Sequence, residues 1–143
     1  MTISLEDARS ELMAYTVEHA RSDPSFIHQL GVDAWAAQHA TAESKSISVA
    51  FALIGLCLHL EKGFTGKQVQ DAHVTLARNQ KMWPRFELPS ERGDITVFHV
   101  LAESPGPERD AMIEAWCASV WESYRESHKI VRELVARELY RRK

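Results

Sequence analysis

"SISVAFALIGLCLHLEKG", residues 46–63, decides the fold. Wound as a helix, it is apolar nearly all round, so it should be the central, most buried helix of a bundle. Its most apolar run, Ile47 to Leu60, is shorter than the roughly 20 residues that a membrane helix needs. Thr41 or Ser44 can begin the helix, and Gly63 is a natural C-cap.

The segments on either side also read as helices. The first spans about Leu5 to Arg21, with Ser4 as N-cap, Glu6 and Asp7 in its first turn, and Leu5, Ala8, Leu12, Tyr15 and Ala20 facing inward. The second follows "SDPSF", with Asp23 as cap and Pro24 at the first helical position, and runs to about His39. The fourth begins at Thr65, carries Val69, Ala72, His73 and Leu76 near one face, and ends near Lys81. "MWPRFELPSERGD", residues 82–94, is the longest irregular stretch, with two prolines and a glycine. Asp94 is expected to cap a short fifth helix, "ITVFHVLAES". The last helix is expected from Pro107 to Arg141, with Ile113, Cys117, Val120, Tyr124, Val131 and Leu134 as its apolar seam. No run alternates long enough for a strand. The expected fold is all-α: a single helical bundle over residues 1–143, with about four long helices, a short helix and a proline-rich loop before a long C-terminal helix.

Composition narrows the function classes. The 143 residues carry a formal net charge of −3, with 45% hydrophobic and 26% charged residues. That is a normal globular balance with no basic face for nucleic acid. Arg137, Arg141, Arg142 and Lys143 form the one basic cluster, as the macrodipole favours at a helix C-terminus. The opening "MTISLEDARSEL" is acidic and is not read as a secretory signal. Cys57 and Cys117 lie in apolar helical stretches and are expected as reduced, buried thiols. A cytoplasmic protein that binds neither nucleic acid nor membrane is the expectation.

Seven histidines are a high share for a small domain. Bundles build metal sites from inward side chains on facing helices, so a histidine-ligated divalent metal is the sharp hypothesis. "HQLGVDAWAAQH", residues 28–39, tests it. His28, Val32, Trp35 and His39 share a helix face, but helical rise separates the two histidines by roughly 16 Å. Imidazole binds zinc at about 2 Å, so the pair cannot chelate one ion unless the helix breaks at Gly31. Asp33 projects roughly 140° away from His28. No HExxH or ExxH motif occurs. His59 stands in line with a stripe of small residues, Ser48, Ala52 and Gly55. His73, His99 and His128 lie on later helices. Each has a plainer reading as a hydrogen-bonded core or boundary histidine. No GxSxG or phosphate-binding glycine loop is present, and both cysteines read as structural. Trp35, Trp83, Trp116 and Trp121 suit a core or an apolar pocket.

"HQLGVDAWAAQH", "LIGLCLHLEKG", "RGDITVFHV" and "WCASVWESYRESHKIVREL" together resemble a bacterial family of helical proteins of unknown function. Its pattern runs HxLxVDxxxxQH, LxGLxLxLExG, then WxxSVW and HxxVR, and the resemblance extends from about His28 to Leu134. It marks His28, Asp33, Gln38, His39, Gly55, Trp116, Trp121, His128 and Arg132. His59, His73 and His99 are outside that pattern. The Cys-Pro-x-Cys-Gly head of many relatives is absent here.

The resulting expectation is a polar pocket between the second, third and last helices that acts on a small molecule. Asp33, His39 and His128 would be its catalytic groups: Asp33 orients a histidine or acts as base, and His128 acts as acid or ligand. Trp35, Gln38, Trp121, Tyr124 and Arg132 would bind substrate, with Arg132 holding an anionic group. His28, His39 and His128 would hold the metal. The alternative is a non-catalytic ligand-binding or oligomeric module, with the last helix as a homodimer seam.

Overall fold

A computed structural model of the chain describes residues 3–20, 27–79 and 82–140, apart from the side chains of His19 and Ala20. The fold is all-α, and the described residues contain no strand. The helices are α1 (Leu5–Ala20), α2 (Ile27–Gln38), α3 (Ser46–Lys62), α4 (Gly66–Asn79), α5 (Val97–Ala102), α6 (Pro107–Ser123) and α7 (His128–Val135). None is long and apolar enough to cross a membrane.

Two helices share the centre. α3 buries Val49, Ala50, Leu53, Ile54, Leu56 and Leu58, among others, as its sequence demands. α2 is equally central and packs against α1, α3, α4 and α6. Its small residues Ala34 and Ala37 are fully buried, so neighbouring helices approach its axis closely. It also carries two buried polar residues, Gln29 and Asp33, into the core. The expectation of one central helix is therefore corrected to a central pair.

Local signals explain most helix ends. The Ser4 hydroxyl accepts from Asp7 N at 3.0 Å and caps α1. Thr65 and Gln68 cap α4 reciprocally, each side chain accepting from the other's backbone N–H. Gly63 closes α3 at φ 75°, a left-handed conformation that glycine enters without penalty. α3 itself starts two residues later than Ser44, because Thr41 and Ser44 fold into a turn of their own. On α1, Leu5 is exposed and Thr16 is buried, so the inner face is rotated toward Ala8, Leu12 and Thr16. Asp23 and Pro24, the expected cap and first residue of α2, lie outside the described residues, as does Ala20's side chain.

The end of the chain departs most from expectation. Its apolar seam is buried as read, but the helix is not continuous. α6 stops at Ser123, a 3-10 turn covers Arg125–Ser127, and α7 restarts at His128. Tyr124 N turns back to Trp121 O at 3.0 Å, and the His128 ring donates from Nε2 to the same carbonyl at 2.8 Å. The imidazole is thus a second donor to the carbonyl that closes α6 at the break. α5 is capped by Thr96 rather than Asp94. Thr96 Oγ1 accepts from Phe98 N, while His99 Nδ1 accepts from Thr96 N, which closes a capping box with histidine in the usual glutamate position.

Thr96→Ala should therefore lower stability by about 1 kcal/mol, while Asp94→Ala should stay within about 0.5 kcal/mol of wild type. Urea unfolding of the two variants checks this; equal losses would refute the assignment.

Candidate functional site

The polar groups singled out by sequence fall into three separate clusters. The first lies in the core. Asp33 is 3% exposed, and its carboxyl sits where the side chain of Gly55 would be. A Cβ on Gly55 would meet Asp33 Oδ2 at 1.9 Å, so only glycine lets the two helices close on this carboxyl. The small stripe on α3 is thus filled from within. Gln29, one turn before Asp33, donates from Nε2 to Asp33 Oδ1 at 3.1 Å and faces His73 Nδ1 at 3.4 Å. His73 Nε2 donates to Phe51 O at 2.9 Å, which leaves Nδ1 as the acceptor for the Gln29 amide. His73 Nε2 also stands 4.0 Å from Asp33 Oδ2, an oxygen with no hydrogen-bond partner. Burial pushes the Asp33 carboxyl well above the ordinary range, and burial lowers His73. Burial thus favours the neutral form of both groups, as a low-dielectric interior does for an acid and a base without a charged partner.

The second cluster fastens the proline-rich loop. Gln38 Nε2 donates to Arg92 O and Ile95 O, and its Oε1 accepts from the Trp116 indole at 2.8 Å. Arg92 returns the contact by donating to Gln38 O and Ala40 O. Tyr124, fully buried, donates to Ala37 O at 2.6 Å. Gln38 and Tyr124 were expected to bind substrate; here their polar atoms hold the fold.

The third cluster is at the surface end of α3. Arg132 grips Glu61 with two hydrogen bonds, Nε to Oε1 at 2.8 Å and Nη2 to Oε2 at 2.7 Å. The Trp121 indole donates to Oε2 at 3.3 Å, and the Cys57 thiol approaches Oε1 at 3.8 Å. The Arg132 hydrogen bonds are the main reason that Glu61 stays below its ordinary pKa. Burial, with Glu61 beside it, pushes the Cys57 thiol up to about 12, so it is an inert thiol. His128 stacks on Trp121 with ring centroids 3.8 Å apart. Next to this cluster is a cavity of about 230 Å³, lined by Cys57, Glu61, Lys62, Arg132, Val135, Ala136 and Tyr140.

The three histidines expected to hold a metal are each tied to a different local partner. His28 Nδ1 meets Thr16 Oγ1 at 2.8 Å. His39 stacks on Trp35 and bonds to its carbonyl at 3.1 Å. His128 is spent on Trp121 O. α2 runs unbroken through Gly31, so the ends of "HQLGVDAWAAQH" stay apart. Among the described residues, no three His, Cys, Asp or Glu side chains are grouped to hold a metal ion. The structure therefore does not bring His28, His39 and His128 together, and of the three expected catalytic groups Asp33 alone has a histidine beside it, the previously discounted His73. Sequence reasoning also missed Gln29 and Glu61. Glu61 carried a signal: a carboxylate in the last turn of a helix opposes the macrodipole and calls for a dedicated cation.

Gly55→Ala should cost about 1–3 kcal/mol by overpacking against the Asp33 carboxyl. The Asp33 linkage has a definite sign. The folded chain keeps the Asp33 proton to higher pH than the unfolded chain does, so wild-type stability falls as pH rises above the unfolded value near 3.8. Asp33→Asn removes that slope and should gain on wild type between about pH 4 and pH 7. Urea midpoints across that range are the measurement; a variant that loses ground with rising pH contradicts a buried neutral acid.

The chain matches no curated protein and no solved structure. A family model covers residues 6–125, which takes in all three clusters except His128 and Arg132. The chain belongs to the family of unknown function DUF5946.

Proposed function

We propose that the protein is a non-catalytic binding module for a small molecule, with its site in the cavity between α3 and α7. One observation carries this reading: the Glu61–Arg132 pair, backed by Trp121 and His128, stands beside an open cavity of about 230 Å³. An arginine–carboxylate fork fixes geometry as well as charge, which suits a preformed binding wall. Catalysis by Asp33, His39 and His128 has less support. Asp33 is buried and lines none of the cavities described here, and the two histidines each spend a ring nitrogen on a backbone carbonyl. Use of the last helix as a homodimer seam also has less support, because its seam from Ile113 to Leu134 is buried within the chain and, among the described residues, the large apolar side chains it leaves exposed are Ile130 and Tyr140.

The test is a thermal-shift screen of carboxylates, phosphates, amines and sugars against the full chain and against Ala136→Trp, which fills the cavity from an exposed position. At least one compound should raise the wild-type melting temperature and leave the variant unmoved. No hit, or hits that ignore Ala136→Trp, would overturn the proposal.

A further inference from the structure

The last described turn, Ala136–Tyr140, is π-helical, a rare geometry that recurs at functional sites. It is held from α4, where Asn79 Nδ2 donates to Glu138 O at 2.9 Å. Tyr140 thereby stands between two cavities and lines both. One is the cavity of about 230 Å³ described above; the other, of about 360 Å³, is walled by Phe64, Ala72, Thr75 and Leu139. Lys62 Nζ lies 5.4 Å from the Tyr140 ring centroid.

The charges around the smaller cavity are unequal in what they leave free. Both oxygens of Glu61 are taken by Arg132, with Trp121 and Cys57 adding donors. Arg132 uses Nε and Nη2 on that carboxylate, which leaves Nη1 outside that pair of bonds, and Arg132 is one of the residues lining the cavity. Lys62 adds a second positive charge. The C-terminal end of α3 contributes roughly −0.5 of a charge. With Glu61 counted, the wall keeps roughly half a positive charge in excess, which one negative charge overshoots by roughly half a charge and two by roughly one and a half.

We infer that the ligand is a small monocarboxylate with an aromatic or short aliphatic body. Its carboxylate meets the Lys62 ammonium and Arg132 Nη1, and its body lies along Val135, Ala136 and the Tyr140 ring toward the second cavity. This deepens the binding-module reading and rests on it. A cationic ligand would meet two like charges and a carboxylate with its acceptors already used. A phosphate dianion would overshoot the local charge by more than a monocarboxylate does.

Isothermal titration of the full chain with benzoate, benzamide, benzylamine and inorganic phosphate tests the assignment. Benzoate should bind at least tenfold tighter than the other three. Lys62→Gln and Tyr140→Ala should each weaken benzoate at least tenfold; both residues are exposed, and circular dichroism checks that the variants fold. Lys67→Gln, which alters an exposed lysine paired with Asp71 on α4, should leave benzoate binding unchanged. Benzamide, benzylamine or phosphate binding as well as benzoate, with Ala136→Trp still abolishing it, would overturn the carboxylate assignment and leave the binding module standing. A benzoate affinity insensitive to Lys62→Gln would do the same. Failure of all four probes beside a cavity-dependent hit of other chemistry in the screen sinks this inference alone; failure of both experiments sinks both readings.

Discussion

The Asp33 carboxyl in the gap left by Gly55 sets the contact on which the bundle depends. α2 and α3 are its two central helices, and here the carboxyl of one fills the space that a side chain at Gly55 of the other would take. Burying an ionised carboxylate is costly, so the site favours the protonated form, and Gln29 gives it one hydrogen bond. The same Gln29 amide reaches His73 and so ties α4 to the pair. Turning α2 to release the carboxyl would also withdraw Leu30, Ala34 and Ala37 from the core. Polar satisfaction and apolar burial therefore select the same rotation of α2.

From that centre, α2 organises the rest through its C-terminal end. Gln38 uses its whole amide to hold the loop before α5 and the Trp116 indole, and Ala37 O receives the Tyr124 hydroxyl. The Tyr124 bond lies at the break between α6 and α7. Past the break, α7 presents Arg132 to Glu61 at the end of α3. The surface cluster is thus positioned by a break that is itself anchored to α2.

Much of the fold was legible because it followed from single-helix rules. The all-round apolarity of 46–63 gave a buried helix, Gly63 gave its end, Ser4 gave a cap, and the seam from Ile113 to Leu134 gave a buried face. What was not legible depends on contacts between helices. A seam spaced by sevens between Tyr124 and Val131 reads the same whether or not a 3-10 turn interrupts it. The cap of α5 moved from Asp94 to Thr96 because His99 could complete a box, a role that sequence patterns usually give to glutamate or glutamine. Asp33 lies buried in the core, and its histidine neighbour comes from α4, at a position outside the family pattern. Spacing along one helix cannot say which side chain arrives from another.

The abundance of histidine, which first pointed to a metal, has a structural account. His39, His59, His73 and His128 each place a ring nitrogen on a backbone carbonyl, of Trp35, Phe64, Phe51 and Trp121 respectively. Three of those bonds lie at helix ends or at the α6–α7 break, and at Trp35 O and Trp121 O the imidazole joins a backbone N–H on the same carbonyl. His99 serves the opposite polarity and accepts from a backbone N–H at a helix start. Imidazole suits both tasks because its two nitrogens can donate and accept. To ligate a metal through these nitrogens, the chain would first have to give up those bonds to its backbone. The Glu61–Arg132 wall carries no such cost: its hydrogen bonds join side chains rather than backbone carbonyls, and Lys62 and Arg132 both line the cavity.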